Sequence, residues 1–349
     1  MSKKAKALLL LSGGLDSSLV GAILKRENID VTAIKFVTGL EYSVIKSELL
    51  DTKNEDPAKK ITDKLGIPLR YVSLKDVYID MLLNPKYGYG SAINPCLDCH
   101  ILMFKTAKKI MEEEGFDFVA TGEVQGQRPM SQKSQDLLNG LKESGLEGRL
   151  LRPLSAKLLP ITIPEQEGLI NRDNLYDISG RSRHKQMELA KEFGIEEYPE
   201  PAGAGCSIVD KGYARRYNEL VSHNGKDIIN MDVLQHLAIG RHIRLHKDIK
   251  LIVGRNRDEN IGLSKRDTFE KNWVLLEPNY DKGPSAFLEV YNDVDNLGDF
   301  ILRTANIIGY FSKEEADKLS ITATYKDGKK EVVEISNKDS KNTEFEQIV

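Results

Sequence analysis

The stretch "ALLLLSGGLDSSLVGAIL", residues 7–24, decides the fold of this 349-residue chain. It opens with an apolar run, passes through two glycines, and continues with apolar residues at helical spacing. That order predicts a buried strand, a tight turn and a helix. The apolar run is too short for a signal peptide, and no stretch of the chain is long enough to span a membrane.

Predicted strands and helices continue to alternate along the chain. Strands are predicted at "DVTAIKFVTG", "IPLRYVSLK" and "DFVATGE", and helices at "EDPAKKITDKLG" and "LMFKTAKKIMEEEG". This alternation predicts an α/β fold with a doubly wound parallel sheet, in which ligands bind at the carboxyl ends of the strands. Residues 133–148 are polar and glycine-rich, so we expect a mobile loop there.

After about residue 235 the pattern changes to short strands, one helix and a hairpin with Asp327-Gly328 at its turn. These features predict a small α+β domain. The chain is therefore divided into a domain over 1–210, a helical connector over 211–234, the small domain over 235–338 and a tail over 339–349.

Composition is ordinary, with 30% charged residues, a net charge of −3 and three cysteines. So few cysteines argue against a disulfide framework, and we expect a reducing cytoplasm. The charge is unevenly distributed. Residues 235–272 hold nine Lys/Arg and five Asp/Glu, whereas residues 276–317 hold three and nine. The basic segment could bind phosphate groups, or it could form a solvent-exposed face of the small domain.

The loop "SGGLDSS", Ser12–Ser18, lies between the first strand and the first helix. Its glycines allow close backbone approach, and the helix N-terminus favours an anion. The loop has no lysine, so it is not a Walker A loop, and Asp16 beside a polyphosphate calls for Mg²⁺. The predicted nucleotide-binding residues are Leu11, Ser12, Gly13, Gly14, Asp16, Ser17, Ser18, Lys35, Phe36, Gly122 and Gln127.

The motif SGGxDS, complete at Ser12–Ser17, resembles the PP-loop of ATP pyrophosphatases, which share an adenine nucleotide α-hydrolase-like fold. The resemblance implies ATP binding, adenylation of a carbonyl oxygen and release of pyrophosphate. "TGEVQGQRPMSQ", Thr121–Gln132, is similar to the TGE…GQ…SQ stretch of tRNA 4-thiouridine synthetases, as is "LLRPLSAK", Leu150–Lys157. Over about residues 5–210 the resemblance implies tRNA uridine thiolation, and the TGE stretch favours C4 of the base.

Two of the cysteines form a C-x-x-C pair, Cys96 and Cys99, in what we expect to be the loop before a helix; Cys206 lies far along the chain. The residues alone leave open a metal site, a redox or persulfide pair, zinc with His100, or packing. One branch of tRNA thiolases has the same three-cysteine pattern. That resemblance implies that the three cysteines hold a 4Fe-4S cluster with an open iron that carries sulfide. Together with Asp16 they are the predicted catalytic residues.

The stretch "GRHIRLHKDIKLIVGRNRDEN", residues 240–260, loosely resembles the RNA-binding domain of ribosome-quality-control factors. The predicted RNA contacts are Arg241, Arg244, Lys247, Lys250, Arg255 and Arg257. The basic surface that contacts RNA could continue through Arg181, Arg183, His184, Lys185, Arg215 and Arg216.

The expected partners are tRNA and a sulfur source, either sulfide or a cysteine desulfurase, with a possible homodimer. Two other functions are open. One is a PP-loop sulfurtransferase that acts on a small molecule, and the other is a non-catalytic ATP- and RNA-binding protein.

Overall fold

The structure is a computed structural model that describes residues 4–50, 55–198, 205–266 and 269–348. Its strands are β1 (Lys6–Leu10), β2 (Asp30–Val37), β3 (Leu69–Ser73), β4 (Phe118–Thr121), β5 (Leu150–Leu151), β6 (Arg241–His246), β7 (Ile249–Val253), β8 (Asn272–Pro278), β9 (Ala286–Val290), β10 (Lys318–Tyr325) and β11 (Lys330–Ser336). Its α-helices are α1 (Leu15–Arg26), α2 (Tyr42–Leu49), α3 (Pro57–Leu65), α4 (Lys75–Leu83), α5 (Cys96–Glu114), α6 (Ser134–Ser144), α7 (Ile163–Gln166), α8 (His184–Glu192), α9 (Lys211–Asn224), α10 (Met231–His236), α11 (Arg257–Ser264), α12 (Leu297–Phe311) and α13 (Asn337–Ser340).

The chain divides into two compact units. The first unit contains Met1–Thr38 and Glu55–Gly205, and the second contains Gly39–Asn54 and Cys206–Val349. Cys206 and α2 therefore belong to the second unit. The boundaries that the sequence suggests at residues 210 and 235 stay predictions.

The first unit is built on a five-stranded parallel sheet in the order β3-β2-β1-β4-β5. Successive residues of β1 point to opposite faces: Leu9 packs in the core with α1, α3 and α8, and Leu8 packs in the core with α5. The doubly wound parallel sheet is thus confirmed. Because β1 and β4 are parallel neighbours, the turns that follow them lie at one edge of the sheet.

Two local predictions in the first unit are wrong. Residues 134–144 form α6 rather than a loop, because Leu137 and Leu141 share one face of a helix and Leu137 is fully buried. Helix α5 begins at Cys96, so both cysteines of the C-x-x-C pair lie inside the helix and not before it. The buried carboxylate of Asp98 fixes this start, since it accepts the backbone N–H groups of Lys86 and Tyr87, at 2.9 and 3.0 Å.

The second unit holds a six-stranded antiparallel sheet in the order β11-β10-β8-β9-β7-β6. Helix α12 packs its apolar face on this sheet. The turn between β10 and β11 contains Asp327 and Gly328, as predicted, and Gly328 adopts φ +86°. In the part of the chain that the structure describes, no helix is both long and apolar enough to cross a bilayer.

Candidate active site

The glycine loop presents the N-terminus of α1. Gly13 has φ +85°, and Gly14 is the residue before the helix. The hydroxyl groups of Ser17 and Ser18 donate to the carbonyl of Gly14, at 3.0 and 2.9 Å, which holds the loop in shape. Among the described residues no side chain caps α1, so the N–H groups of its first turn are available to a bound anion. This arrangement is suited to binding phosphate oxygens.

Two neighbouring segments approach the loop too closely for any side chain. A Cβ atom on Gly122, which follows β4, would lie 2.6 Å from the backbone nitrogen of Ser17 and 2.8 Å from the carbonyl carbon of Asp16. A Cβ atom on Gly13 would lie 2.6 Å from the backbone nitrogen of Ala58, in α3. The TGE turn and the start of α3 therefore press directly on the loop and fix its position.

Asp16 has one satisfied and one unsatisfied carboxylate oxygen. Its Oδ2 accepts a hydrogen bond from Nε2 of Gln127, at 2.9 Å, whereas its Oδ1 is buried and has no hydrogen-bond partner in the part of the chain that the structure describes. Burial raises the pKa of Asp16, and the hydrogen bond from Gln127 opposes that shift. A divalent cation bound to a polyphosphate would supply the missing partner of Oδ1, so the residues present fit Mg²⁺.

Gln186 supports this arrangement and was missed by the sequence analysis. It lies in α8, is fully buried, and places its Nε2 atom 3.5 Å from Oε1 of Gln127. The signal in the sequence was a glutamine on the apolar face of an amphipathic helix. Such a residue needs a hydrogen-bond partner inside the protein.

The predicted residues at the ends of the first two strands have different roles. Lys35 forms an ion pair of 2.8 Å with Asp56, which also accepts the N–H of Ala58 at the start of α3. The side chains of Leu11 and Phe36 are buried in the apolar cores. Leu11 and Phe36 can therefore contact a nucleotide only through their backbone atoms.

A buried ionic network joins the end of β4 to α5. The carboxylate of Glu123 contacts Nδ1 of His100 at 2.9 Å and Nε of Arg152 at 2.7 Å. Glu123 and Arg152 are both almost completely buried. Burial alone would raise the pKa of Glu123, but the charge of Arg152 and the hydrogen bond with His100 outweigh it and hold that pKa below its ordinary value.

Glu123→Gln is expected to lower the free energy of unfolding at neutral pH by about 3–5 kcal/mol, because Arg152 loses its buried counter-charge. In the wild type, the ionised Glu123 stabilises the fold fully above the ordinary pKa of 4.5, and this contribution is lost as the pH falls through the lower folded pKa. The variant should therefore lose less stability on acidification. Thermal unfolding between about pH 3 and pH 8 measures both effects.

The matched control for that variant is Glu113→Gln, which breaks an exposed ion pair with Lys109 on the same helix as His100. Exposed pairs contribute little, so its unfolding should follow the wild type. Equal behaviour of the two variants would contradict a stabilising role for the buried network.

Asn94 holds the segment that leads into the cysteine pair. Its buried amide donates to Sγ of Cys96 at 3.1 Å, its Oδ1 accepts the N–H of Ala92, and its backbone carbonyl accepts the N–H of Gly90. Cys96 and Cys99 are half-buried and lie about one turn apart at the start of α5. A persulfide or thiolate at Cys96 would retain an amide hydrogen bond in this position.

The structure does not bring together a metal-binding set of residues. Cys206 lies in the second unit, where its backbone forms a β-bridge with Glu41. Among residues 4–50, 55–198, 205–266 and 269–348, no three side chains of His, Cys, Asp or Glu lie together as possible metal ligands. The described residues thus do not form a cluster site, and the 4Fe-4S cluster stays a prediction.

Two of the predicted RNA contacts are internal to the second unit. Lys250 is fully buried and forms an ion pair of 2.9 Å with Glu219. Arg244 pairs with the same carboxylate and is mostly buried. A direct phosphate contact by Lys250 therefore does not fit this structure. Sequence alternation alone could not distinguish the two faces of the strand, because α9 supplies Glu219 from elsewhere in the chain.

The other predicted RNA contacts reach the surface. Lys247 and Arg257 are exposed, and Arg255 is partly exposed although it pairs with Glu259. Arg241 donates to the carbonyl of Gly254 at 3.1 Å and lies over an aromatic ring. An RNA contact by these four residues stays a prediction.

Comparison with known families gives two matches. Residues 5–147 match the model of the tRNA methyl transferase HUP domain, and residues 240–347 match that of the NFACT protein RNA binding domain. The first match agrees with the PP-loop fold described above. The second supports the resemblance that residues 240–260 show to an RNA-binding domain.

Curated relatives are tRNA-specific 2-thiouridylases. The enzyme MnmA of Acetivibrio thermocellus is 26% identical over 350 residues, which cover 95% of this chain and 92% of that protein. MnmA of Herpetosiphon aurantiacus is also 26% identical, but the match covers 62% of this chain and 59% of that protein. Among solved structures, a 4-thiouridine synthetase in complex with RNA and ATP is 21% identical over 55% of this chain and 52% of that chain, with a TM-score of 0.33.

Proposed function

We propose that this protein thiolates a uridine of tRNA in an ATP-dependent reaction. The observation that carries the proposal is the nucleotide site of the first unit. There the uncapped N-terminus of α1 and the unsatisfied oxygen of Asp16 lie where Gly122 packs on the loop. The relatives that are tRNA 2-thiouridylases support the choice of substrate.

In the first step, a carbonyl oxygen of the uracil attacks the α-phosphorus of ATP. A P–O bond forms, the bond to pyrophosphate breaks, and the N3 proton of the base passes to solvent. The N–H groups at the start of α1 hold phosphate oxygens, and Asp16, oriented by Gln127, would hold Mg²⁺. The bound cation would neutralise the charge of the pyrophosphate leaving group.

In the second step, sulfur replaces the adenylated oxygen. The terminal sulfur of a cysteine persulfide attacks the activated carbon, and AMP leaves. A second cysteine thiolate then attacks the remaining S–S bond, which releases the thiolated base and leaves a disulfide between the two cysteines. The two thiols supply the two electrons that reduce the transferred sulfur. An external dithiol must reduce the disulfide, and a cysteine desulfurase must renew the persulfide.

The position of the new sulfur is proposed to be C2. The sequence motif at residues 121–132 favoured C4, whereas the relative that matches 95% of this chain is named a tRNA-specific 2-thiouridylase. Identification of the thiolated nucleoside distinguishes thiolation at C2 from thiolation at C4.

Incubation of the purified protein with unmodified tRNA, ATP, Mg²⁺, a dithiol and a cysteine desulfurase with cysteine tests the proposal. Nuclease digestion and mass spectrometry with authentic standards should detect 2-thiouridine, and pyrophosphate should appear in equal amount. Omission of ATP should abolish both products. The finding of 4-thiouridine would move the sulfur to C4. ATP and tRNA binding with no thiolated nucleoside, with or without iron reconstitution, would contradict the proposed reaction.

A further inference from the structure

Arg216, in α9 of the second unit, is a half-buried arginine with an unsatisfied hydrogen-bond donor. Its Nε atom is buried and has no hydrogen-bond partner. In the portion of the chain that the structure describes, no carboxylate forms an ion pair with it. A guanidinium that is taken out of water without a partner is unfavourable, so such residues are rare unless a ligand completes them.

The carboxylates near Arg216 already have other partners. Asp210 accepts the backbone N–H of Tyr213 at 2.7 Å and so caps α9. Glu259 forms its ion pair with Arg255, at 2.7 Å. Burial lowers the pKa of Arg216, the charge of Asp210 opposes that shift, and the weaker effect of the positive charge of Arg255 adds to it. Neither carboxylate forms an ion pair with Arg216 in the part of the chain that the structure describes.

The short helix Ser207–Val209, which directly follows Cys206, packs on α9, the helix that carries Arg216. Cys206 forms a β-bridge with Glu41, and the following residue, Tyr42, begins α2. Burial and the charge of Asp210 raise the pKa of the Tyr42 hydroxyl, and Cys206 also raises it. The charge of Arg216 lowers that pKa. The charges of Arg216, Arg255 and Cys206 thus all act on the hydroxyl of Tyr42.

We propose that Arg216, together with Arg255 and the hydroxyl of Tyr42, binds a backbone phosphate of the tRNA beside Cys206. The proposal rests on the proposed function, which supplies the tRNA. A guanidinium binds phosphate oxygens through two parallel hydrogen bonds, and Nε of Arg216 is one of the donors available for this. Arg216, Tyr42 and Cys206 all lie outside residues 240–347, so the RNA contact surface would extend beyond the matched RNA-binding domain.

The proposal makes a prediction about stability that a structural role would not. Because Arg216 lacks a partner in the protein without RNA, Arg216→Met should leave the melting temperature unchanged or raise it. The same variant should weaken tRNA binding. A residue that merely supports the fold would show the opposite pattern, a lower melting temperature with unchanged affinity.

The chain supplies a matched control in Arg215, which neighbours Arg216 on α9 and is exposed. We expect Arg216→Met to weaken tRNA binding about tenfold or more at moderate salt, and to reduce the slope of log affinity against log salt by about one. Arg216→Lys should retain part of the affinity, because it keeps the charge but loses the paired hydrogen bonds. Arg215→Met should change the affinity less than about threefold.

Fluorescence anisotropy with labelled tRNA over a range of salt concentrations, and thermal unfolding without RNA, provide the measurements. Equal affinities of the Arg216→Met and Arg215→Met variants would overturn the inference and leave the proposed function standing. A wild-type protein that binds no tRNA would overturn both. If inorganic phosphate alone stabilises the wild type but not Arg216→Met, and tRNA affinities are equal, the site binds free phosphate and the tRNA contact is wrong.

Discussion

Gly122→Ala is expected to destabilise the first unit by about 3 kcal/mol and to lower ATP affinity by more than about tenfold. The added Cβ would lie 2.6 Å from the nitrogen of Ser17 and 2.8 Å from the carbonyl carbon of Asp16. Both are backbone atoms, so no side chain can rotate away. The end of β4 or the start of α1 must move, and the phosphate-binding N–H groups move with it. Isothermal titration with ATP and thermal unfolding measure the two effects.

Gly14→Ala is the matched control within the same loop. Gly14 has φ −78°, which any residue adopts, and its added Cβ would lie 3.5 Å from the hydroxyl of Ser12, an ordinary contact. This variant should unfold close to the wild-type temperature. If Gly122→Ala were as stable as Gly14→Ala and bound ATP normally, the close packing of the TGE turn on the loop would be unnecessary for the site.

Alanine in place of each cysteine that takes part in sulfur transfer, two of Cys96, Cys99 and Cys206 in the persulfide route, is expected to reduce thiolation by a factor of about 10³ or more, while ATP binding and tRNA binding remain. The physical reason is that cysteine sulfur forms and breaks the bonds to the transferred atom, whereas nucleotide binding uses the glycine loop. Single-turnover thiolation assays, with ATP affinity measured in parallel, test this separation. Full activity of Cys206→Ala would remove that residue from the mechanism.

The same three variants distinguish the two routes of sulfur delivery. If persulfide chemistry operates, activity requires a dithiol reductant and the active protein contains no iron. If a cluster operates, anaerobically purified wild type contains about four iron atoms per chain, and each substitution removes them. A dispensable third cysteine together with a dithiol requirement would support the persulfide route, because that route uses two thiols.

Much of the first unit could be predicted from the sequence. The apolar run at residues 7–11, the glycine pair and the alternation of strands with helices define a doubly wound parallel sheet, and the structure confirms it. The contact between Gly122 and the glycine loop could also be expected from the sequence, since both turns come directly after buried parallel strands. Local patterns suffice here because regular βα units connect neighbouring strands in a restricted way.

The errors arose where the partner of a residue lies elsewhere in the chain. Residues 134–144 are too polar to suggest a helix until Leu137 is seen to be buried. The start of α5 depends on Asp98, whose partners belong to the preceding loop. Lys250 alternates with apolar residues as an exposed lysine would, but it is buried because Glu219 pairs with it from α9.

By itself, the sequence determined the α/β fold and the glycine loop, because each depends on residues that are adjacent or regularly spaced. Only the tertiary structure decided which charged groups are neutralised. It pairs Glu123 with Arg152 inside the first unit, whereas it leaves Arg216 half-buried without an ion pair among the residues that the structure describes. Positions 215 and 216 are both arginine, so the sequence does not distinguish them. Packing leaves Arg215 in solvent and makes Arg216 a candidate phosphate ligand. Burial is a property of the whole fold, and it sets the energetic cost of leaving a charge unpaired.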